Sequence, residues 1–428
     1  MSVKIISEDG QKLTVQVTVD ISGSMLEAED KIMAACNELG SLSTKKALDH
    51  FDTDGTPIKM GEKKYTAKTK ENKEYQTPYG SVQIKRYVYQ ASCGGKIYVP
   101  LEMSARIIHS ATPKFSKMLS HKYASMSAKD ALNDLSINHG REISKKYLQD
   151  VSESVFEIVE NKENIWEYAL PEFAEPITTI TISMDGAMLP TCTEGWRESM
   201  VGTASLFDKN GERQHTIYIG EPPEYGKSNF MNRLEKEVEK IKINYPSALY
   251  IGIADGAKNN WPFLEKHTDK QLLDFYHVTE YLTKCSYAAF PQKTGKPERT
   301  KWLNARCHEL KHNKTGPQDI FNELKKFKRR KKLSSEVREH LIAAISYFKN
   351  NIHRMNYAEH VEKNLSIGSG VTEAACKTLI KQRFCKSGMR WKNDGIKNVL
   401  RLRELTQTDG RWQQLWDKIN QYGVPCTV

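Results

Sequence analysis

Between residues 171 and 277 the apolar pattern of the chain changes period in a fixed order, and that order restricts the fold more than any other feature. Ile177 to Met184 is a strand by its β-branched content, and Trp196 to Phe207 and Gln214 to Ile219 read as two more. Asn229 to Ile243 carries apolar residues at helical spacing and Ala248 to Ala254 is a fourth strand; a helix at about Trp261 to His267 and a short fifth strand, Gln271 to Leu273, follow. Three strands, then helix, strand, helix, strand, helix predict an α/β unit. In it the first, fourth and fifth strands run parallel and side by side, and crossovers lay the helices on the sheet faces.

That succession is the ribonuclease H-like order, and strand direction gives it a chemical consequence. Parallel neighbours bring Asp185, Asp255 and Asp274 to their carboxyl ends, the edge where open α/β sheets place ligands. Carboxylates meeting there repel one another unless a cation sits between them. Hard oxygen donors select Mg2+ or Mn2+, and two such ions about 3.5–4 Å apart clamp the attacking and leaving oxygens of an in-line displacement at phosphorus. Glu373, in Gly370-Val371-Thr372-Glu373-Ala374, completes the set from a helix. Each acid also has a plainer reading. Asp185-Gly186 and Asp255-Gly256 are turn dipeptides, and Glu373 stands four residues before Lys377, an i,i+4 pair worth a few tenths of a kcal/mol.

The rest of the chain is consistent with a partner that carries phosphate. At 428 residues, 39% of them hydrophobic, it is long enough for two or three domains with full cores. No apolar run of about 18 residues occurs and the start lacks the apolar core of a signal peptide, so a soluble, cytoplasmic protein with no membrane partner is expected. The eight cysteines contain no Cys-x-x-Cys pair, and reduced thiols are the expectation. The net charge is +11, and Lys325 to Lys332 places seven positive charges in eight residues, among them Lys328, Arg329 and Arg330. Such a block neutralises phosphates without sequence preference, although a solvated helix face or linker reads the same way.

Upstream, helical spacing at Met25, Ala28, Ile32, Cys36 and Leu39 predicts a helix from about 24 to 50. Gln76 to Gly80 is a turn signal, and Val82, Ile84 and Val88 then alternate as in a half-buried strand of a small β-rich unit that ends near Pro100. From about 111 to 163 the pattern is helical again: Ser127 and Asp130 form a capping-box-like start, Gly140 marks a turn, and Ile143, Tyr147 and Leu148 open another helix. Two helices around a glycine-containing turn make a helix-turn-helix with Arg141, Lys145 and Lys146 placed to meet DNA; an ordinary helical hairpin is the alternative. The expected domains are 1–110, an N-terminal helix with the β-rich unit; 111–170, helical and DNA-binding; and 171–428, the ribonuclease H-like mixed sheet with a helical insertion.

Several motifs in order resemble one family. Ser183-Met184-Asp185-Gly186, Gly195-Trp196-Arg197-Glu198, Ala254-Asp255-Gly256-Ala257, Asp274-Phe275-Tyr276-His277, Leu365 to Ala374 and Ser387-Gly388-Met389-Arg390-Trp391 look like the motif series of the Kra-four group of bacterial insertion-sequence transposases. His50 to Gly55 and Tyr75 to Gly80 are similar too, so the resemblance spans most of the chain. It implies a DDE transposase with Asp185, Asp255 and Glu373 as catalytic, metal-holding acids for two Mg2+ or Mn2+ ions. From 185 to 255 is 70 residues and from 255 to 373 is 118, so the second interval is the longer. The excess, about 287–365, resembles the helical insertion of Mutator-related transposases.

Asp274-x-x-His277 resembles the Asp/Cys-x-x-His signature of that broader set, which implies His277 acting near the scissile phosphate and Asp274 in support behind it. Arg383, Arg390 and Trp391 are placed to hold phosphate or stack on a base, or else to pin the last helices to the core. The implied partners are double-stranded DNA, as transposon terminal repeats and target, and further copies of the chain in a dimer or larger assembly, associated with the bacterial nucleoid. Relatives often carry cysteine pairs in the β-rich unit, whereas Cys93 stands alone here, which speaks against a zinc ribbon. The alternative function is a catalytically inactive or repurposed transposase-derived DNA-binding protein.

Overall fold

The computed structural model describes residues 2–92, 94–291, 295–330 and 333–424; Cys93 and the last two lysines of the basic run, Lys331 and Lys332, lie outside the described residues. The chain is mixed α/β, with mixed and antiparallel sheets. It begins with a hairpin, β1 (Ser2–Asp9) and β2 (Lys12–Thr18), that the sequence reading lacks. Helix α1 (Met25–Asp49) follows, started by a capping box in which the Ser24 hydroxyl accepts from the Glu27 N–H and the Glu27 carboxylate accepts from the Ser24 N–H. Strands β3 (Ile58–Met60), β4 (Lys63–Gln76), β5 (Ser81–Ala91) and β6 (Ile97–Tyr98) form an antiparallel sheet in that order. Helices α2 (Pro100–Ser104), α3 (Pro113–Ser125), α4 (Ala128–His139) and α5 (Lys145–Lys162) come next. Ser127 caps α4 by accepting from the Asp130 N–H, Gly140 ends it in the left-handed conformation at φ 59°, and Ser144 caps α5.

The second stretch holds β7 (Ile177–Thr191), β8 (Gly195–Asp208), β9 (Arg213–Glu221), α6 (Ser228–Asn244), β10 (Leu249–Ala254), α7 (Trp261–His267), β11 (Lys270–Leu273) and α8 (Phe275–Ala289), in the expected order. Among the described residues α9 (Lys296–His312), α10 (Gly316–Lys328), α11 (Ser335–Asn351), a 3-10 turn (Ile352–Arg354) and α12 (Tyr357–Glu362) separate α8 from α13 (Gly370–Ala375). A π-helical turn, Cys376–Lys381, then leads into α14 (Gln382–Phe384), α15 (Asn393–Gln407) and α16 (Arg411–Tyr422).

These elements form two compact units. One comprises residues 1–170 with 401–406 and 410–428; the other comprises 171–400 with 407–409. The C-terminal segments therefore do not stay with the sheet that starts at 171, as a 171–428 domain requires. The reason is packing: Leu402, Leu405, Leu415, Trp416 and Ile419 share one buried cluster with Val155, Ile158 and Trp166. Each side chain fully buried in this way is worth roughly 1.5–3 kcal/mol.

In the second unit the strand order is β11-β10-β7-β8-β9; β7, β10 and β11 pair in parallel, and β8 pairs antiparallel with both β7 and β9. β7 runs seven residues beyond Met184, where the sequence reading ends it, because residues 185–191 keep pairing with 195–201. Asp185-Gly186 is thus mid-strand and not a turn. Helices cover both faces of this sheet. Phe230 and Leu234 of α6 lie over Gly202, whereas the hydroxyls of Thr372 in α13 and Thr203 meet at 2.6 Å. Gly202 and Thr203 are neighbours on β8 and point to opposite faces, so α6 and α13 sit on opposite sides.

Candidate active site

The parallel pairing of β7 with β10 has a constant offset of 70 residues, ending at Ile253 opposite Ser183, where the Ser183 hydroxyl also donates to the Ile253 carbonyl at 2.7 Å. Asp185 lies two residues past that last pair on β7 and Asp255 is the first residue after β10, near enough for the two charges to interact. Likewise Ala254 pairs with Leu273, so the next step sets Asp274 beside Asp255. Asp255 and Asp274 thus follow the carboxyl ends of β10 and β11, while Asp185 lies within β7, just past its last pair with β10. The Asp185 carboxylate accepts from the Gly186 N–H at 2.7 Å, and Asp255 turns its loop by accepting from the Ala257 N–H at 3.0 Å. Tyr347, from α11, donates to the Asp255 carbonyl at 2.7 Å and stacks on Tyr281 at 4.2 Å.

Glu373 lies in the first turn of α13, exposed. Its neighbours fix where that turn stands: Thr372 is buried against Thr203, and the Cys376 thiol points at the Asp185 carboxylate, Sγ to Oδ2 3.7 Å. Cys376 is one helical turn after Glu373 and begins the π-helical turn, a rare geometry that clusters at functional sites. Sequence reasoning passed over Cys376; its spacing of three residues from Glu373 was the available signal.

Asp274 is not free to ligate. Buried to 2% exposure, it caps α8 by accepting from the N–H groups of Tyr276 (2.6 Å) and His277 (3.0 Å), and it accepts both the N–H and the hydroxyl of Ser369. Its four donors fill the carboxylate, so its part is to tie the loop before α13 to the end of β11. His277 is partly exposed in the first turn of α8, with Nδ1 3.8 Å from Glu280.

Burial pushes the Asp185 carboxyl above its ordinary value; the Gly186 N–H opposes this, Asp255 adds to it and His277 opposes it. The Cys376 thiol is pushed up by burial first and by Asp185 second. Among the described residues no three His, Cys, Asp or Glu side chains stand close enough together to hold a metal ion. By donor chemistry Asp185 and Asp255 nevertheless suit a hard divalent cation: they supply only carboxylate oxygens, and a cation relieves the cost of keeping Asp185 ionised. Glu373 is the donor that α13 offers on the same face.

The basic candidates divide in two. Lys145, Lys146, Lys328, Arg329 and Arg390 are exposed, with Lys146 also paired to Asp150 at 2.9 Å. Arg141 is buried. It donates to the Thr77 carbonyl (3.1 Å) and the Gln76 amide oxygen (2.6 Å) and packs on Phe115, so it pins the turn between β4 and β5 and is not on a DNA-facing surface. Arg330 donates to the carbonyls of Ala288 and Ala289, both at 2.7 Å, closing the C-terminal end of α8. Arg383 is 1% exposed beneath Trp391, whose indole N–H donates to the Phe384 carbonyl and whose backbone bridges Thr191. That pair fastens the segment after α14 to the end of β7.

No family model and no curated protein matches the chain.

Proposed function

We propose that the chain is a DNA transposase whose second unit is a ribonuclease H-like catalytic domain. The observation that supports this reading is that Asp185 and Asp255 follow the last pair of the parallel strands β7 and β10 and interact through their charges, with the helix bearing Glu373 packed on the face of Asp185. The strand order and directions of the five-stranded sheet support the fold assignment. The net charge of +11 and the exposed lysines and arginines favour a polyanionic partner.

In this reading Asp185 and Asp255 would hold Mg2+ or Mn2+ together with Glu373. Such ions supply an activated water and neutralise charge at the phosphorus. The chain's own residues position the reaction. Asp274 and Ser369 set the start of α13, Tyr347 steadies the loop of Asp255, and His277 offers a ring nitrogen for proton transfer at the phosphate. Hydrolysis at a transposon end frees a 3′-hydroxyl, which then attacks target DNA at the same site. Holding two ends calls for a second copy of the chain.

The test uses the full chain, a labelled duplex ending in the terminal repeat of its element, Mg2+ or Mn2+, and the Glu373→Gln variant. Metal-dependent cleavage and joining in the wild type, lost in the variant, is the expected result. Binding without cleavage in both identifies a DNA-binding protein derived from a transposase, and cleavage that survives in the variant removes Glu373 from the set.

A further inference from the structure

Tyr276 stands between Asp274 and His277 at the carboxylate edge, yet 58% of it is exposed. A single exposed aromatic is ordinary on a protein surface, so what marks Tyr276 is its place directly between Asp274 and His277 and its close fit to the loop that leads to Glu373. Its backbone is fixed at the start of α8, and its ring has neighbours on two sides. Its N–H is bonded to Asp274 at 2.6 Å, and its carbonyl accepts from the Thr279 hydroxyl at 2.7 Å. Phe275 meets the ring edge-on at 6.0 Å and is itself locked edge-on against Tyr357 at 5.3 Å.

One side of the ring lies against Gly368, where a Cβ would come within 2.8 Å of two ring carbons. Only glycine admits that approach, and the same loop then leads through Ser369 to Glu373. Lys311 stands close by, its Nζ 4.7 Å from the centre of the Phe275 ring. The Tyr276 hydroxyl has no hydrogen-bond partner among the described residues, so its polarity does not account for its position.

We propose that Tyr276 is a stacking platform for a nucleobase of the DNA strand that enters the carboxylate edge. The proposal rests on the phosphoryl-transfer reading above and adds to it the group that grips the base beside the phosphate. A ring flanked on two sides pays little conformational entropy on stacking, and every base offers a π-face, so the contact holds a strand without reading its sequence.

The experiment mixes the full chain with short single-stranded and duplex oligonucleotides carrying 5-iododeoxyuridine at successive positions. Irradiation is followed by peptide mapping, and affinity is measured on the same samples. Cross-linking should map to Tyr276. In Tyr276→Leu it should disappear and affinity for the single strand should fall on the order of ten-fold, while Tyr276→Phe keeps that affinity. Gly368→Ala, which displaces the ring without removing it, should lose the cross-link at an unchanged unfolding temperature. Bound DNA whose cross-links map elsewhere, with Tyr276→Leu binding as the wild type does, overturns the platform and leaves the DNA reading standing. Failure of the wild type to bind any of these oligonucleotides overturns both.

Discussion

Asp274 receives two hydrogen bonds from Ser369, one from its N–H and one from its hydroxyl, while capping α8 with its other oxygen. One buried carboxylate thereby joins the end of β11, the start of α8 and the loop that leads into α13. Asp274→Ala leaves buried donors unpaired at both elements, and a cost of about 2–4 kcal/mol is expected from the lost cap and the lost charge-assisted bonds. Denaturant unfolding checks this. A loss under about 0.5 kcal/mol would mean that Ser369 finds its partners elsewhere.

Asp185 carries a pH signature of known sign. Its carboxyl is raised in the folded state, so the fold holds the proton more tightly than the unfolded chain does. The stability from this group is fully present below the ordinary carboxylate value and is lost as pH rises through the raised one. Asp185→Asn removes that loss, so the variant should gain on the wild type as the medium goes from acid to neutral while losing all cleavage. Added Mg2+ should narrow the gap by stabilising only the wild type. Urea midpoints at a series of pH values decide it, and a gap that does not change with pH would refute the claim.

Arg141 and its neighbours Lys145 and Lys146 should separate cleanly. Arg141→Ala leaves the Gln76 and Thr77 oxygens without their donor and should cost about 1–3 kcal/mol. Neutralising Lys145 and Lys146 should leave unfolding unchanged but weaken DNA binding and lower the salt slope by about one per contact removed. Salt titrations of binding beside thermal melts test both halves; a stable Arg141→Ala protein with specifically impaired DNA binding would reverse the assignment.

The same contrast applies to the basic run. Lys328, Arg329 and Arg330 are all exposed, but Arg330 ends α8 by bonding two of its last carbonyls. Hydrogen exchange should show the last turn of α8 opening faster in Arg330→Ala and unaltered in the double variant of Lys328 and Arg329 to alanine. Equal protection in all three proteins would leave Arg330 without a structural part.

Periodicity read well wherever a segment's own residues decide its partner. β7 and β9 are rich in β-branched residues, and the order of the sheet's elements was legible, with bounds off by a few residues except at Asp185-Gly186. There the dipeptide suggested a turn, but pairing with β8 carries the strand through. The first hairpin was missed despite a local sign, Asp9-Gly10 between alternating runs. β4 was illegible for a different reason: Lys63 to Gln76 is mostly Lys, Thr and Glu, and its strand form comes from pairing with β5. Asp255 and Asp274 follow β10 and β11 as the element order predicts, whereas Asp185 lies inside β7 and not at its end. The structural contacts of Arg141, Arg330, Arg383 and Trp391 were not legible, since charge and aromaticity in a sequence do not show which carbonyl or ring lies within reach.

The cluster that joins Val155 and Trp166 to Leu415, Trp416 and Ile419 also sets an order of events during synthesis. The ribosome releases residues 171–400, a complete sheet with its covering helices, before the N-terminal unit has received the last side chains of its own core. The part of the protein made first is therefore the part finished last. A nascent chain halted after residue 400 would display a folded sheet unit beside an N-terminal one with an open apolar cleft, a natural point of capture for chaperones.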